Sequence, residues 1–289
     1  MSRGLDHVVH LVQDLDAAGE VYERLGFTVG ARNRHPWGTE NRIIQTPGFF
    51  IELLQVAEPG KIPPSEPGRL SFGAVNADFL ARNGEGLSML VLEGKDPAAE
   101  KAAFDAAGVG GFATFDFART ARKPDGREVE VGFTLAYARV PGEADFTAFT
   151  CTQHRPENFW SPDLQRHANG VAAVAGAVLV ADDPGAHAGL VGVLCGVPLV
   201  PAGQGVYAAQ TPRGRIEVMT RDSFAALHGV PAPGDAGLRL AAVRLRIPGA
   251  PEPGSPLDGR GIPQTPDAGR IVIPPGAAMG AVLVFEFGA

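Results

Sequence analysis

The chain has 289 residues, of which 45% are hydrophobic and 20% charged, with a formal net charge of −7 at pH 7. Because domains usually span roughly 100–200 residues, this length predicts two domains of ordinary size. Acidic and basic residues are interspersed, and neither a secretory leader nor a run of about 18 apolar residues is evident, so we expect a cytoplasmic protein that binds neither nucleic acid nor membranes.

The first elements along the chain form one repeated unit. A strand is predicted over Leu5–Val12, followed by a helix that starts at Asp14 or Asp16 and ends at Gly26. Further strands are predicted near residues 27–34, 41–45 and 49–56. This order is βαβββ.

The same order begins again at residues 86 and 171. The aspartates that open the three predicted helices, Asp14, Asp96 and Asp183, lie roughly 80 to 90 residues apart. A fourth copy is predicted from residue 238 onward, with its helix replaced by a loop rich in proline and glycine. Internal repeats at such a period determine the fold more strongly than local propensity does.

We therefore predict an α+β protein of two domains with two modules each. The first domain spans residues 1–153, with modules at 1–85 and 86–153. Residues 154–170 form a polar linker that contains Phe159 and Trp160, which either cap a pocket or, as we favour, pack between the domains. Residues 171–289 form the second domain.

The stretches "LDHVVHLVQDLDAAGEVYERLGF" and "FFIELL" resemble the first and last elements of a module in the vicinal oxygen chelate superfamily, which includes glyoxalase I, bleomycin-resistance proteins and extradiol dioxygenases. Within it, "HPWGTENRIIQ" is similar to bacterial glyoxalase-like domain proteins. The resemblance implies that paired modules form a curled mixed sheet of eight strands. Its concave cup would hold a divalent metal ion (Zn, Ni, Mn or Fe) and a small-molecule substrate.

Two residues match the family's metal ligands. Alternation along the first strand places His7 and His10 on opposite faces, and His7 matches the family's first-strand ligand, which leaves His10 a structural role. Glu52 matches the carboxylate ligand of the fourth strand, and a lone carboxylate among apolar neighbours is costly to bury unless it is paired. An antiparallel pairing of these strands would bring both to one ion. A hydrogen bond between His7 and Glu52 without metal is the alternative.

A third ligand is expected from the second module. His154 ends its last predicted strand and is our candidate, with Gln153 as the alternative if the register differs by one residue. The first strand of this module has Leu87 and Ser88 where a histidine would stand, so the site has fewer ligands than glyoxalase I.

Substrate-binding candidates lie in "HPWGTENRII". Thr39 and Asn41 are predicted to orient a substrate carbonyl, Arg42 to pair with a carboxylate, and His35 to line the mouth of the cup. A role in stabilising the loop and strand is an equal alternative for this segment.

The second domain is predicted to be a degenerate copy. It keeps a carboxylate, Glu217, at the place of Glu52, but Ala175 aligns with His7. A metal site there is not expected.

Three classes of function follow. The first is a metal-dependent lyase or isomerase of the glyoxalase kind, in which the metal is a Lewis acid and Glu52 binds it or moves a proton. A non-haem iron dioxygenase that uses His7, His154 and Glu52 is a variant of this class. The second is a metal-free binding protein for a small apolar molecule. The third is a homodimeric scaffold without a ligand.

Overall fold

The fold consists of two mixed eight-stranded sheets, seen in a computed structural model that describes residues 1–122, 126–249, 257, 263, 265–267 and 269–288. The first sheet has the order β2-β3-β4-β1-β5-β8-β7-β6. Its strands are β1 (Leu5–Val12), β2 (Asn33–Arg34), β3 (Thr39–Thr46), β4 (Phe49–Val56), β5 (Gly86–Glu93), β6 (Phe115–Arg122), β7 (Glu128–Arg139) and β8 (Thr147–Gln153).

The second sheet repeats this order as β10-β11-β12-β9-β13-β16-β15-β14. Its strands are β9 (Ala173–Val180), β10 (Val200–Gly203), β11 (Val206–Gln210), β12 (Arg215–Met219), β13 (Arg239–Pro248), β14 (Thr265–Asp267), β15 (Arg270–Ile273) and β16 (Val282–Gly288). The predicted α+β class with tandem modules in curled mixed sheets is confirmed. The predicted loop of the fourth module falls largely on residues 250–256 and 258–262, which lie outside the described residues.

Six α-helices accompany the sheets in the described part of the chain. They are α1 (Leu15–Arg24), α2 (Phe72–Asn83), α3 (Pro97–Ala106), α4 (Pro156–Phe159), α5 (Pro184–Cys195) and α6 (Arg221–His228). Asp14, Asp96 and Asp183 cap the N-termini of α1, α3 and α5, where each side chain accepts backbone N–H groups. The predicted helix starts are therefore correct, with Asp14 rather than Asp16 opening the first.

Three features of the first module differ from the prediction. β1 pairs with β4 in parallel, not antiparallel, with Val9 opposite Glu52. The strand expected over residues 27–34 is limited to Asn33–Arg34. Helix α2, capped by Ser71, was not predicted, and it packs beside β1, β4 and β5.

The main apolar core lies between the two sheets and includes α1, α3 and α5. A buried histidine connects the halves: the Nε2–H of His10 donates to the carbonyl of Met279 at 2.9 Å, while its Nδ1 accepts the hydroxyl of Tyr22 at 2.9 Å. His10 thus has the expected structural role. A second cluster, rich in aromatic residues, fills the opposite, concave face of the first sheet.

Gly280 provides a test of this contact between the halves. Its φ is 84°, and a Cβ placed there would collide with the carbonyl oxygen of Glu85. We expect Gly280→Ala to destabilise the protein by at least about 2 kcal/mol, because alanine is strained at this φ and the backbone of Glu85 would have to move. Gly276→Ala, where a Cβ meets nothing within 4 Å, is the control. Urea denaturation of both variants checks this; equal stabilities would contradict the tight contact.

Candidate functional site

The concave face of the first sheet contains a cavity walled mainly by aromatic side chains. Helix α2 closes one side with Phe72, and α4 closes another with Phe159. Its volume, counted with the open mouth, is about 520 Å³. The lining residues are His7, His35, Trp37, Asn41, Ile43, Phe50, Glu52, Phe72, Phe115, Phe117, Arg119, Phe133, Leu135, Phe149, Cys151 and Phe159. An apolar wall with a few convergent polar groups is typical of sites for small molecules.

His7 projects into this cavity from β1 and is held in place on two sides. Its ring stacks on Phe50, with centroids 4.1 Å apart and an angle of 15°. Its Nδ1 lies 2.6 Å from Oδ1 of Asp6. Strict alternation along β1 would place Asp6 and His7 on opposite faces of the sheet. The pairing of β1 with β5 shifts register between Leu5 and His7, and this irregularity brings the two adjacent side chains together. The Nε2 atom is left to face the cavity.

Glu52 faces His7 from the neighbouring strand. Its Oε2 lies 3.9 Å from Nε2 of His7, and its Oε1 accepts a hydrogen bond of 2.5 Å from the side chain of Asn41. Burial raises the pKa of the Glu52 carboxyl, while His7, the amide of Asn41 and Arg119 oppose this rise. The structure thus brings together the imidazole and the carboxylate that the sequence paired.

Behind Glu52 a chain of hydrogen bonds fixes the polar wall. Asn33 donates to Oδ1 of Asn41 at 3.0 Å, and Nδ1 of His35 lies 2.8 Å from Oγ1 of Thr39. His35 and Asn41 line the cavity, whereas Thr39 supports His35 from behind. Burial, with a smaller contribution from Arg119, lowers the pKa of His35 to about 3, so its ring is neutral near pH 7.

Arg42 does not belong to the cavity, contrary to the prediction. It points to the helix side of the sheet, where its Nη2 pairs with Asp16 at 3.0 Å. The arginine that lines the cavity is Arg119, on β6. It was missed, although the alternation of Phe115, Phe117 and Arg119 in "FATFDFART" places all three on one face.

His154 also lies apart from the proposed ligands. It borders a separate cavity on the other side of β7, with its Nε2 2.7 Å from Oγ1 of Thr134. Phe149 and Cys151 face the cup, and the alternative candidate Gln153 donates to Asp6 at 3.0 Å. His154 is offset by one residue from Gln153, so its side chain lies on the opposite face of the sheet from Cys151. The set of His7, His154 and Glu52 expected for an iron dioxygenase is therefore not assembled.

The His7–Glu52 pair suits a divalent ion. An imidazole whose Nδ1 is held by a carboxylate and whose Nε2 is open is a common metal-ligand arrangement. The 3.9 Å separation exceeds a hydrogen bond and is about 0.4–0.9 Å longer than the about 3.0–3.5 Å between ligands bound at about 2.1 Å. Binding of an ion would require the two side chains to approach by that amount.

One group of three potential ligands has mutually close atoms in the described part of the chain. Asp6, His7 and Cys151 offer ligand atoms that lie within 4.8 Å of one another. In the ion-free protein, burial and the negative charges of Asp6, Glu52 and Glu100 raise the pKa of the Cys151 thiol well above its usual value, so it is protonated near pH 7. Binding an ion to this group would release that proton. Asp6 already holds Nδ1 of His7, whereas Nε2 of His7 faces Glu52, so the two sets are separate candidate ligand groups that share His7.

The second sheet carries no equivalent pair. Val178 lies opposite Glu217, as Val9 lies opposite Glu52, so the residue in the place of His7 is Gly176 rather than Ala175. A Cβ on Gly176 would collide with the carbonyl oxygen of Arg215. An arginine fills the position instead: Arg244 forms ion pairs with Glu217 and with Glu286.

A family model described as glyoxalase-like domain matches residues 5–194. The chain belongs to the glyoxalase-like domain family. The match includes all of the first sheet and extends to α5 of the second half. No curated protein matches this glyoxalase-like chain.

Solved structures share this fold at low sequence identity. A hypothetical protein from Staphylococcus aureus has a TM-score of 0.68 at 13% identity, over 99% of both chains. The Mn(II)-bound glyoxalase from Novosphingobium aromaticivorans has a TM-score of 0.58 at 13% identity, over 99% of this chain and 83% of that one. A mutant of 4-hydroxymandelate synthase from Streptomyces coelicolor has a TM-score of 0.56 at 11% identity, over 99% of this chain and 93% of that one.

Within the described residues of this glyoxalase-like protein, every helix is too short or too polar to cross a lipid bilayer.

Proposed function

We propose that this glyoxalase-like protein is a divalent-metal-dependent lyase or isomerase that acts on a small oxygenated organic substrate in the N-terminal cup. The observation that supports this most directly is the open Nε2 of His7 facing the buried carboxylate of Glu52. A bound ion would act as a Lewis acid on vicinal substrate oxygens and stabilise negative charge that develops as a proton moves. The aromatic wall would exclude water from that charge.

Glu52 either binds this ion or moves the proton. As a base that the ion does not bind, it keeps the pKa that burial raises, and efficient general bases have pKa values brought nearer to the working pH. The hydrogen bond from Asn41 fixes one oxygen, which leaves Oε2 to face His7 and the cavity. The neutral ring of His35, stacked on Trp37 with centroids 4.7 Å apart, accepts or donates a hydrogen bond to a substrate oxygen.

Metal analysis tests this proposal. We expect the purified protein, incubated with Mn²⁺ or Zn²⁺ and freed of excess ion, to retain one ion per chain. His7→Ala and Glu52→Ala should each weaken binding by at least about 100-fold, because each removes one of two protein ligands. His154→Ala is the matched control and should bind normally, since His154 borders a different cavity. Failure of the unaltered protein to retain any ion would contradict the proposal.

A metal-free binding protein is the second candidate. The cavity favours it because seven phenylalanines line it: Phe50, Phe72, Phe115, Phe117, Phe133, Phe149 and Phe159. A ligand of this kind would raise the melting temperature by mass action, and a chelator would leave that rise unchanged. A rise that chelator abolishes would favour the enzyme.

A further inference from the structure

Arg119 occupies the boundary between two cavities. It lines the inner, aromatic cavity described above, and it also lines an outer cavity beside α4. Ile43 and Phe159 are the other residues shared by both. The outer cavity is otherwise walled by neutral side chains, among them Asn33, Gln45, Asn158 and Ser161. Arg119 is therefore in contact with the space of both cavities.

Few charged side chains line these two cavities among the described residues. Within the part of the chain that the structure describes, Arg119 is the one lysine or arginine that lines either cavity, and Glu52 is the one carboxylate. Burial lowers the pKa of Arg119, and the negative charge of Glu52 opposes that effect. Among the described residues, no carboxylate forms an ion pair with its guanidinium. A half-buried guanidinium without a paired anion is costly, and that cost is relieved when an anion binds.

We propose that the substrate is a small carboxylic acid whose carboxylate binds Arg119, with its apolar body lying among the phenylalanines of the inner cavity. This assignment takes the cup as the substrate site, and so rests on the proposed function. A guanidinium forms two parallel hydrogen bonds to a carboxylate, a fit that no other side chain lining the two cavities provides.

The position of Arg119 also orients the substrate. Its carboxylate would lie at the boundary with the outer cavity, and the opposite end would point towards His7 and Glu52. The acid group would then bind away from the pair that is proposed to hold the metal. Because the whole chain has a net charge of −7, anions gain no general attraction to its surface, and a preference for them would have to come from this one cation.

Matched acids and amides test the proposal. Benzoate, phenylacetate and 3-phenylpropionate are each compared with the uncharged amide of the same shape. The titrations are followed by calorimetry and by the fluorescence of the two tryptophans, Trp37 in the wall of the inner cavity and Trp160 in that of the outer one. We expect at least one acid to bind at least tenfold more tightly than its amide. Arg119→Met should bind acid and amide alike, and Arg119→Lys should keep a reduced preference for the acid.

Arg42→Met is the control, because Arg42 pairs with Asp16 outside the cavity and should leave the preference unchanged. If no acid is preferred over its amide, or if Arg119→Met keeps the preference, the proposal is wrong.

Each titration is run with and without Mn²⁺. A preference for acids in a protein that retains no ion would overturn the metal-dependent function alone, and ion binding without that preference would overturn the role of Arg119 alone.

Discussion

Replacing Arg244 by methionine is expected to lower the free energy of unfolding by about 3–5 kcal/mol, the usual cost of removing one partner from a buried charge network. The guanidinium of Arg244 donates to Glu217 and, at 2.5 Å, to Glu286. Only 20% of the Arg244 side chain is exposed, and the two carboxylates are more buried still. The variant would leave two mostly buried negative charges without their shared cation.

Arg215→Met provides a matched control. Arg215 also reaches Glu217, at 3.1 Å, but 41% of its side chain is exposed. Ion pairs that water screens contribute at most about 1 kcal/mol, so this variant should lose far less stability. Both are measured by urea denaturation, which is sensitive to differences of this size.

A triple variant tests the cause. Arg244→Met combined with Glu217→Gln and Glu286→Gln removes the unpaired charges together with the cation, and should recover most of the lost stability. If the triple variant is as unstable as Arg244→Met alone, lost packing of the arginine stem rather than unpaired charge is responsible. Recovery would mean that Arg244 stabilises the protein by supplying the positive charge that these two buried carboxylates require.

The repeat and the helix starts could be predicted from the sequence because they depend on local signals. Asp14, Asp96 and Asp183 each precede an apolar pattern of helical period, and a capping aspartate acts within three residues. His7 and Glu52 could be paired because each lies on a strand whose place in the module the resemblance supplies. These predictions needed no knowledge of how distant strands meet.

The predictions that were wrong concerned side chains whose position depends on a one-residue change of strand register or on how strands distant in sequence meet. The bulge before His7 brings Asp6 to its ring, and a one-residue difference turns His154 away while Cys151 faces the cavity. Arg119 reaches the cavity because the sheet curls and brings β6 of the second module across from β4 of the first. Helix α2 did carry a signal, since Phe72, Val75 and Phe79 follow the cap at Ser71 with helical spacing.

Acidification from pH 7.5 to 5.5 is expected to destabilise the ion-free protein by about 4 kcal/mol through three buried histidines. Burial lowers the pKa of His10 to about 4, that of His228 to about 4 and that of His35 to about 3. In the unfolded chain each has a pKa near 6.5. Below that value the unfolded state binds protons that the folded state does not, so stability falls as the pH falls.

At pH 5.5 each of the three histidines accounts for about 1.4 kcal/mol of this loss. Unperturbed carboxylates titrate near pH 4, so they contribute little above pH 5. Denaturant titrations at several values between pH 7.5 and 5.5 give the slope of the unfolding free energy against pH, which divided by 2.303RT equals the number of protons taken up on unfolding. A total loss below about 1 kcal/mol would mean that these imidazoles are protonated in the folded protein.

His228 distinguishes this explanation from a general effect of acid. Neither of its ring nitrogens has a hydrogen-bond partner among the described residues, and its ring packs on Phe224 at 4.6 Å. We expect His228→Leu to remove about one third of the pH dependence, and to stabilise the protein by about 1 kcal/mol at pH 7.5, because a buried polar group without a partner is lost. Leu227→Gln, at an exposed and non-titrating position beside His228 on α6, is the control and should leave the pH dependence unchanged.

Glu52 acts in the opposite direction to these histidines. Because burial raises the pKa of its carboxyl, the folded protein binds a proton there more readily than the unfolded chain does, and this contribution to stability grows as the pH falls. A divalent ion bound at Glu52 would require the ionised carboxylate and would remove that contribution. With saturating Mn²⁺ the loss of stability between pH 7.5 and 5.5 should therefore be steeper than in the ion-free protein. Glu52→Gln should show the same slope with and without the ion.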